Sequence, residues 1–277
     1  MSIGLPPFGY ARPQNIEAAR ALLAGDPDAR LLAGGMTLLP TIKQRLARPS
    51  LLVDLAGIET LAGVGRDGGT LRIGAMTRHA DVAASPLVRE AIPALAGLAD
   101  GIGDPQVRNR GTIGGSVANA DPAADYPAAV LALGAILQTS EREIAADDFF
   151  LGLFETALRE GEILTGLSFR VPEAAGYVKL PNPASRYATV GVFVARFGRE
   201  VRMACTGAAS HAFRLFVTEA ALEADFRPEA VGAVSLDRAL LNADGHADAE
   251  YRQHLVGVIA RRAVAAALAG AGASRVG

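Results

Sequence analysis

The amino-acid sequence predicts a fold of mixed helices and strands, and three observations support this. Residues 29–55 have the pattern of a buried strand, a glycine turn, a helix and a second buried strand, which is a βαβ-like unit. Short strands and helices alternate over residues 58–171, where glycines repeatedly interrupt the apolar runs. Two strand candidates joined through a glycine, followed by helix candidates, make up the rest of the chain.

The elements of the first part follow from local signals. Asn15 can cap a helix over residues 15–24, because apolar side chains then recur on one helical face. The apolar run 29–33 predicts a buried strand that leads into a glycine turn. A helix over 37–46 follows and ends before a proline, and 51–55 predict another buried strand.

The middle and last parts contain more elements and one candidate boundary. Short strands are predicted within 58–73, helices over 78–84 and 87–99, and strands at 136–139 and 163–171. Residues 172–183 contain three prolines and a glycine, so they are the best candidate for a domain boundary. The elements predicted beyond it are hairpin strands at 189–197 and 200–208, joined through Gly198-Arg199, and helices over 218–224, 230–241 and 248–269.

Composition and charge exclude several functional classes. Half of the 277 residues are hydrophobic, which is enough for a sizeable core. The formal net charge of −2 provides no basic footprint for nucleic acid. Cys205 is the single cysteine, so the chain alone can form neither an internal disulfide nor a four-cysteine metal or iron–sulfur site. No metal-binding residues are predicted.

The sequence also predicts where the protein resides. The first residues lack a basic start followed by an apolar run, so no signal peptide is expected. No run of about 18 uncharged apolar residues is present, so no membrane span is expected. We therefore expect a soluble, cytoplasmic protein.

Two segments with adjacent glycines are the most informative feature of the chain. They occupy residues 33–37 and 112–116, and each follows an apolar stretch and ends in a hydroxyl residue. Adjacent glycines allow the backbone to approach a ligand closely, and successive N–H groups can converge on an anion. One such segment could be an ordinary tight turn. Two of them indicate a phosphate-containing cofactor that is held from two sides.

Asp125 follows the second segment in a proline-containing loop. Its carboxylate could accept hydrogen bonds from ribose or ribityl hydroxyls, or it could cap the helix that begins at Tyr126. The chain has no GxGxxG fingerprint, no Walker A lysine and no GxSxG nucleophile. Since no catalytic acid, base or nucleophile is evident, the pattern favours a redox carrier whose cofactor supplies the reactivity.

Six motifs follow one another along the chain: AGGMTLLP (33–40), DLAGI (54–58), IGAMTRHADV (73–82), RNRGTIGGSVANADPAAD (108–125), EIL (162–164) and YVKLPNPASRYATVGV (177–192). Through these motifs the chain resembles the flavin-binding medium subunit of the molybdenum hydroxylases, a family that includes carbon monoxide dehydrogenase and the FAD portion of xanthine dehydrogenase. The motifs follow one another at family-like spacing over most of residues 29–195. The combination of motifs is highly specific.

The resemblance implies an α+β fold with an FAD domain of the vanillyl-alcohol-oxidase (PCMH) type. That domain would span residues 1–174, in two subdomains of about 1–56 and 57–174. A small α+β C-terminal domain of the carbon monoxide dehydrogenase flavoprotein type would span 175–277. FAD would lie between the two subdomains.

The resemblance also implies a set of cofactor-binding residues. They are Ala33, Gly34, Gly35, Met36, Thr37, Leu38, Ile102, Thr112, Ile113, Gly114, Gly115, Ser116, Asp125, Leu164 and Lys179. The two glycine segments would hold the pyrophosphate through backbone N–H groups and hydroxyls. Leu164, Lys179 and Ile102 match positions near the flavin ring, or are respectively a core leucine, a solvated lysine and a loop isoleucine. Tyr187 is either a cover for the isoalloxazine or an ordinary strand tyrosine.

Methionine at position 36, where many relatives carry histidine or glutamine, argues against a covalent histidyl link to the flavin. The resemblance implies a multi-subunit complex. A large subunit would carry the molybdenum cofactor, and a small subunit would carry two [2Fe–2S] clusters. Electrons would pass through those clusters to FAD on this chain and then to an external acceptor. No side chain of this chain would be catalytic.

The assembly would be a dimer of heterotrimers, either free in the cytoplasm or held at the inner membrane surface through the complex. Two other functions stay open on the sequence. One is a self-sufficient flavin oxidase or dehydrogenase, which would need its own acid or base beside the flavin. The other is a non-redox nucleotide-binding module, which would lack flavin absorption.

Overall fold

The first glycine segment lies at the end of a parallel three-stranded sheet. The computed structural model describes residues 5–270 and 274–275. The first elements are β1 (Gly9–Ala11), α1 (Ile16–Ala24), β2 (Arg30–Leu32), α2 (Leu38–Lys43) and β3 (Leu51–Asp54). The strand order is β1-β3-β2, and both pairings are parallel. The predicted βαβ-like unit is confirmed.

Local signals set the ends of both helices in this unit. The Asn15 side chain accepts a hydrogen bond from the N–H of Ala18 at 2.8 Å, so the predicted cap of α1 is confirmed. Helix α2 is shorter than the predicted 37–46. It ends at Lys43 because Arg45 takes a positive φ of 65°, which no helical residue has.

The middle of the chain forms a second, antiparallel sheet with helices against it. Its strand order is β4-β5-β10-β6-β7. The elements are β4 (Val64–Asp67), β5 (Thr70–Gly74), α3 (His79–Ala84), α4 (Pro86–Ala91), α5 (Pro93–Asp100), α6 (Pro105–Arg108), α7 (Ile113–Asn119), α8 (Tyr126–Ala132), β6 (Ile136–Thr139), β7 (Glu143–Ala145), β8 (Phe150–Gly152), β9 (Glu155–Thr156) and β10 (Leu164–Arg170).

Two predictions for this part are wrong in detail. The single helix predicted over 87–99 is broken into α4 and α5, because Pro93 cannot donate a helical hydrogen bond and Ile92 leaves the helical conformation. The strand signal in 58–73 begins too early. Residues Glu59–Leu61 form a 3₁₀ turn, and the hairpin of β4 and β5 follows it.

The last part forms a five-stranded sheet in the order β14-β13-β12-β11-β15. Its elements are β11 (Ala174–Pro181), β12 (Ala188–Phe197), β13 (Glu200–Thr206), β14 (Phe213–Arg214), α9 (Phe216–Ala224), α10 (Ala249–Leu268) and β15 (Ser274–Arg275). The predicted hairpin is confirmed, with Gly198 at a φ of 63° in its turn. The predicted helix 230–241 is wrong, since only the short 3₁₀ turns Pro228–Val231 and Arg238–Leu240 form there.

The C-terminal sheet is buried on both faces. Val178, Val192 and their neighbours pack against α10 in one core, whereas Tyr177 and Phe193 join the core of the middle sheet and its helices. Most of the candidate boundary 172–183 is therefore strand β11, and the chain passes into the third sheet without a linker. The division after residue 174 stays a prediction, and β11 begins at that residue. None of the described helices is both long and apolar enough to cross a membrane.

Candidate cofactor site

The two glycine segments contact each other although about eighty residues separate them in sequence. A Cβ added to Gly34 would lie 2.1 Å from the carbonyl oxygen of Arg110 and 2.7 Å from the Cα of Gly111. A Cβ added to Gly115 would lie 3.4 Å from the Cβ of Ala33. Only glycine at position 34 permits this approach, because real Cβ atoms need more than 3 Å from such neighbours.

The first segment presents a run of unpaired backbone donors. The N–H groups of residues 34–38 have no acceptor within the part of the chain that the structure describes. Gly35 takes a φ of 75°, which turns the chain between β2 and α2. Successive free N–H groups around such a residue form a concave site for an anion. This arrangement suits the oxygens of a phosphate or pyrophosphate.

The second segment differs from its prediction. Its glycines lie within the first turn of α7 and not in a turn of their own. The N–H groups of Ile113 and Gly114 donate to the carbonyls of Thr77 and Ala75, at 3.0 and 2.8 Å. The protein itself satisfies these two N–H groups, and the predicted phosphate contact of this segment stays a prediction.

The remaining donors of the second segment are also used. Gly115 N–H donates to the Thr112 hydroxyl at 3.1 Å, and Ser116 N–H donates to the Thr112 carbonyl at 3.0 Å. The Thr112 hydroxyl is buried and caps the helix by accepting from Gly115, which leaves its O–H to donate, so its predicted phosphate contact stays a prediction. The half-buried Ser116 hydroxyl has no partner within the described residues and is a second hydroxyl that this segment can offer.

Asp125 and Lys179 form a buried ion pair between the middle and last parts of the chain. The Lys179 Nζ lies 2.8 Å from one Asp125 carboxylate oxygen and 2.9 Å from the other. The side chains are 5% and 3% exposed, respectively. The capping interpretation of Asp125 is wrong, since its side chain makes no cap hydrogen bond at α8. Lys179 is likewise not a solvated lysine.

Further polar residues belong to this part of the site. The sequence analysis considered Tyr187 as a cover for the isoalloxazine, but it did not place Tyr177 or Asp121 in the site. The Tyr177 hydroxyl donates to Asp125. Tyr187 lies in the loop before β12, so it is not a strand tyrosine. Burial raises the pKa of Tyr187, and the negative charges of Asp121 and Asp125 raise it further. Burial raises the pKa of Asp121 as well.

The predicted apolar residues Leu164 and Ile102 belong to the core behind the site. Leu164 is 5% exposed at the start of β10, and Ile102 is a half-buried loop residue. The next residue, Thr165, accepts a hydrogen bond from Ala75 N–H, and the Ala75 carbonyl accepts from Gly114. This connection links Leu164 to the second glycine segment through two hydrogen bonds.

His79 supports the backbone just before the second segment. The backbone N–H of His79 donates to the Gly111 carbonyl at 2.9 Å, and a Cβ on Gly111 would lie 2.6 Å from the His79 Nε2. Burial, together with the charge of Arg108, lowers the pKa of His79 to about 4. The His79 Nδ1 and the Tyr126 hydroxyl are buried without a hydrogen-bond partner among residues 5–270, on rings whose centroids are 5.4 Å apart. The imidazole is therefore neutral at neutral pH.

Nucleophilic and metal chemistry have no support in the described residues. Burial raises the pKa of Cys205 to about 12, so its thiol is not a reactive thiolate. No group of three or more His, Cys, Asp or Glu side chains could hold a metal ion within residues 5–270. The site combines backbone donors that can bind an anion with a buried ion pair. These are features of a cofactor-binding domain.

Comparison with known proteins identifies the relatives of this chain. Residues 6–174 match the family described as the FAD binding domain in molybdopterin dehydrogenase. The carbon monoxide dehydrogenase medium chain of Hydrogenophaga pseudoflava is 39% identical, over 95% of this chain and 98% of its own. The nicotine 6-hydroxylase medium subunit of Paenarthrobacter nicotinovorans is 35% identical, over 94% and 97%.

Solved structures agree with the sequence comparison. A chain of carbon monoxide dehydrogenase from Hydrogenophaga pseudoflava superimposes with a TM-score of 0.87 at 37% identity, over 97% of this chain and 99% of that chain. A chain of quinoline 2-oxidoreductase from Pseudomonas putida gives a TM-score of 0.84 at 30% identity, over 97% and 99%. The α+β fold that the resemblance implied is confirmed. The protein therefore belongs to the family of FAD-binding subunits of molybdopterin-dependent dehydrogenases.

Proposed function

We propose that this chain binds FAD as the electron-relaying subunit of a molybdenum-containing dehydrogenase complex. The observation that carries the proposal is the run of five consecutive N–H groups at residues 34–38 that find no acceptor among the described residues, and this run lies against the second glycine segment. The relatives named as medium chains and medium subunits support the same role.

The residues present fit the FAD pyrophosphate. Its oxygens are hydrogen-bond acceptors with negative charge, and N–H donors that converge at a positive-φ glycine match them. The close approach of Gly34 to residues 110–111 leaves no side chain between the two segments. The Ser116 hydroxyl can add a donor from the second segment. We infer that residues 34–38 and Ser116 hold the pyrophosphate.

The other site residues shape the rest of the cofactor site. Bound FAD would supply the redox chemistry, by accepting electrons and passing them on. The Asp125–Lys179 pair would set the electrostatics beside it, because a buried pair is screened little by solvent. Leu164 and Ile102 would form the apolar wall. No residue of this chain needs to move a proton to or from a substrate.

Partners would supply the chemistry that this chain lacks. We propose that a large subunit carries the molybdenum cofactor and a small subunit carries two [2Fe–2S] clusters, in a dimer of heterotrimers. Substrate would be oxidised on the large subunit, and an external acceptor would reoxidise the flavin. The single cysteine supports this division, because one cysteine cannot ligate an iron–sulfur cluster by itself.

Native purification tests the proposal. We expect the chain to copurify with two other subunits, stoichiometric FAD, molybdenum and iron. Substrate should bleach the flavin absorption in the complex and leave it unchanged in the separated flavin subunit. Bleaching of the separated subunit by substrate would indicate a self-sufficient flavin enzyme. A complex without flavin absorption would indicate a non-redox nucleotide-binding module.

A further inference from the structure

We propose that Tyr177 is a positioning residue of the cofactor site, whose hydroxyl fixes the Asp125 carboxylate and thereby Lys179 and the loop 182–187. The inference rests on the proposed function, because it concerns the same FAD site. Tyr177 lies on β11 of the C-terminal sheet and is 2% exposed. Tyr177 therefore contacts the site from the protein core, through Asp125, and not from the solvent side.

Tyr177 and Lys179 hold the same carboxylate from one strand. Side chains two residues apart on a strand point to the same face, so both reach Asp125 while Val178 points to the opposite core. The Tyr177 hydroxyl donates to Oδ1, and the Lys179 Nζ lies 2.9 Å from Oδ2 and 2.8 Å from Oδ1. Two donors on a planar carboxylate fix its rotation as well as its position.

The fold makes room for this hydroxyl. Gly191 on β12 is the register partner of Lys179, and a Cβ on Gly191 would lie 2.7 Å from the Tyr177 hydroxyl oxygen. The Tyr177 ring stacks on Phe193, with centroids 6.0 Å apart. Burial and the Asp125 charge raise the pKa of Tyr177 well above its ordinary value, so the phenol stays a donor throughout the physiological range.

The network continues from Lys179 to the loop 182–187. The Lys179 Nζ also donates to the Arg186 carbonyl at 3.0 Å. Arg186 has a φ of 61°, a left-handed conformation that costs free energy in a non-glycine residue and persists only when its surroundings hold it. The carbonyl of the next residue, Tyr187, accepts from the Asn182 N–H at 2.7 Å, which closes the loop. Displacement of Lys179 would therefore release this loop.

The backbone near Asp125 is held independently of Tyr177. The Thr206 hydroxyl lies 2.8 and 2.7 Å from the carbonyls of Pro122 and Ala124, and Ala188 N–H donates to the Ala123 carbonyl. Loss of the Tyr177 hydroxyl would leave these contacts in place. Its effect would fall on the orientation of the carboxylate and the ammonium, which a substitution can test.

The test compares Tyr177→Phe with Tyr126→Phe in the full-length chain within its complex. Both tyrosines are fully buried in the same core, but the Tyr126 hydroxyl has no hydrogen-bond partner in the described part of the chain. We expect Tyr177→Phe to weaken FAD binding about tenfold, as the loss of one hydrogen bond to a charged group implies. It should also change the visible circular dichroism and the reduction potential of the bound flavin. Tyr126→Phe should change none of these.

Gly191→Ala provides a second route to the same result. Its methyl group would press on the Tyr177 hydroxyl, so it should alter flavin binding and circular dichroism as Tyr177→Phe does. The double substitution should change the free energy of FAD binding by less than the sum of the two single changes, because both act on the same hydroxyl. If Tyr177→Phe does not accumulate, Gly191→Ala decides by the same measurements.

The outcomes separate this inference from the proposed function. A wild-type complex without FAD would refute the proposed function itself. A wild-type complex with FAD, and a Tyr177→Phe complex with a lower melting temperature but unchanged FAD affinity, circular dichroism and potential, would overturn only the inference. In that case Tyr177 would be an ordinary core residue.

Discussion

Substitution of Gly34 by alanine should abolish tight FAD binding, although it adds only one methyl group. The new Cβ would lie 2.1 Å from the Arg110 carbonyl oxygen and 2.7 Å from the Gly111 Cα. These are backbone atoms, which cannot rotate away as the end of a side chain can. The two glycine segments would therefore have to separate by more than an ångström.

The cost follows from the packing around this contact. Gly111 cannot retreat freely, because a Cβ at that position would already lie 2.6 Å from His79. Overpacking of this kind costs about 3 kcal/mol in free energy of unfolding, which corresponds to a melting temperature lower by about 10 °C. Movement of the segment would also break the alignment of the N–H donors. Loss of two hydrogen bonds to phosphate would weaken FAD binding about 100-fold or more.

Flavin fluorescence titration and thermal unfolding would measure the two effects. Gly65→Ala is the matched control, because Gly65 is exposed, has no positive φ and has nothing within 4 Å of an added Cβ. That control should change the free energy of unfolding by less than about 0.5 kcal/mol and leave FAD binding intact. If Gly34→Ala bound FAD as tightly as Gly65→Ala, the contact between the two segments would not be what positions the donors.

Three further predictions concern stability. Burial and a nearby cation lower the pKa of His79 to about 4 in the folded protein. Between about pH 6.5 and 4, the unfolded chain therefore binds a proton at His79 that the folded chain does not bind. Stability should therefore fall by about 3 kcal/mol as the pH drops from about 6.5 to about 4, and His79→Gln should reduce that slope in urea titrations. Burial raises the pKa of Glu162, but hydrogen bonds from Arg142, Thr139 and the Arg159 N–H outweigh it and lower that pKa to about 2. The contribution of Glu162 to folding stability is therefore complete above about pH 4.5 and is lost as the pH falls towards 2. Glu162→Gln should cost about 2 kcal/mol at pH 7 by urea unfolding. Arg202→Met should cost about 2 kcal/mol by the same assay, because the Leu131 carbonyl loses two of its donors, at 3.1 and 2.9 Å, and Asp147 loses an ion pair at 2.6 Å.

Each of these predictions has a clear control or contrary result. An unchanged slope between pH 6.5 and 4 in His79→Gln would assign the acid sensitivity to other groups. At pH 2, Glu162→Gln should have nearly the same free energy of unfolding as the wild type. A difference in stability that stayed constant with pH would mean that the charge of Glu162 does not cause it. Arg199→Ala, in the exposed hairpin turn, is the control for Arg202→Met and should be neutral. Equal effects of the two arginine substitutions would contradict the role of the Leu131 contact.

Much of the fold could be predicted from local sequence. The Asn15 cap, the βαβ-like unit and the Gly198 hairpin depend on interactions within a few residues, and all three are confirmed. The errors arose where tertiary context or one residue overrode an apolar pattern. Pro93 divided a helix, and residues 230–241 are held by short turns although their composition favours a helix.

The candidate site was predicted in its parts and not in their arrangement. The first glycine segment has the free donors that its sequence indicates. The second has none at residues 113–116, because Thr77 and Ala75 accept two of them and Thr112 accepts the rest. These acceptors could not be identified from sequence, since the position of residues 75–77 beside α7 is a product of the fold.

Local sequence was sufficient to predict the glycine segments, the family and the cofactor. Glycine pairs and their neighbours constrain the backbone wherever they occur, and the order of the motifs along the chain is highly specific. The tertiary structure decided which donors stay free and which charges meet. Asp125 and Lys179 are 54 residues apart in sequence, yet they share one buried contact beneath Tyr177. Such a pair depends on how separate sheets pack, because the free energy of burying a charge is recovered only when its partner arrives from elsewhere in the chain.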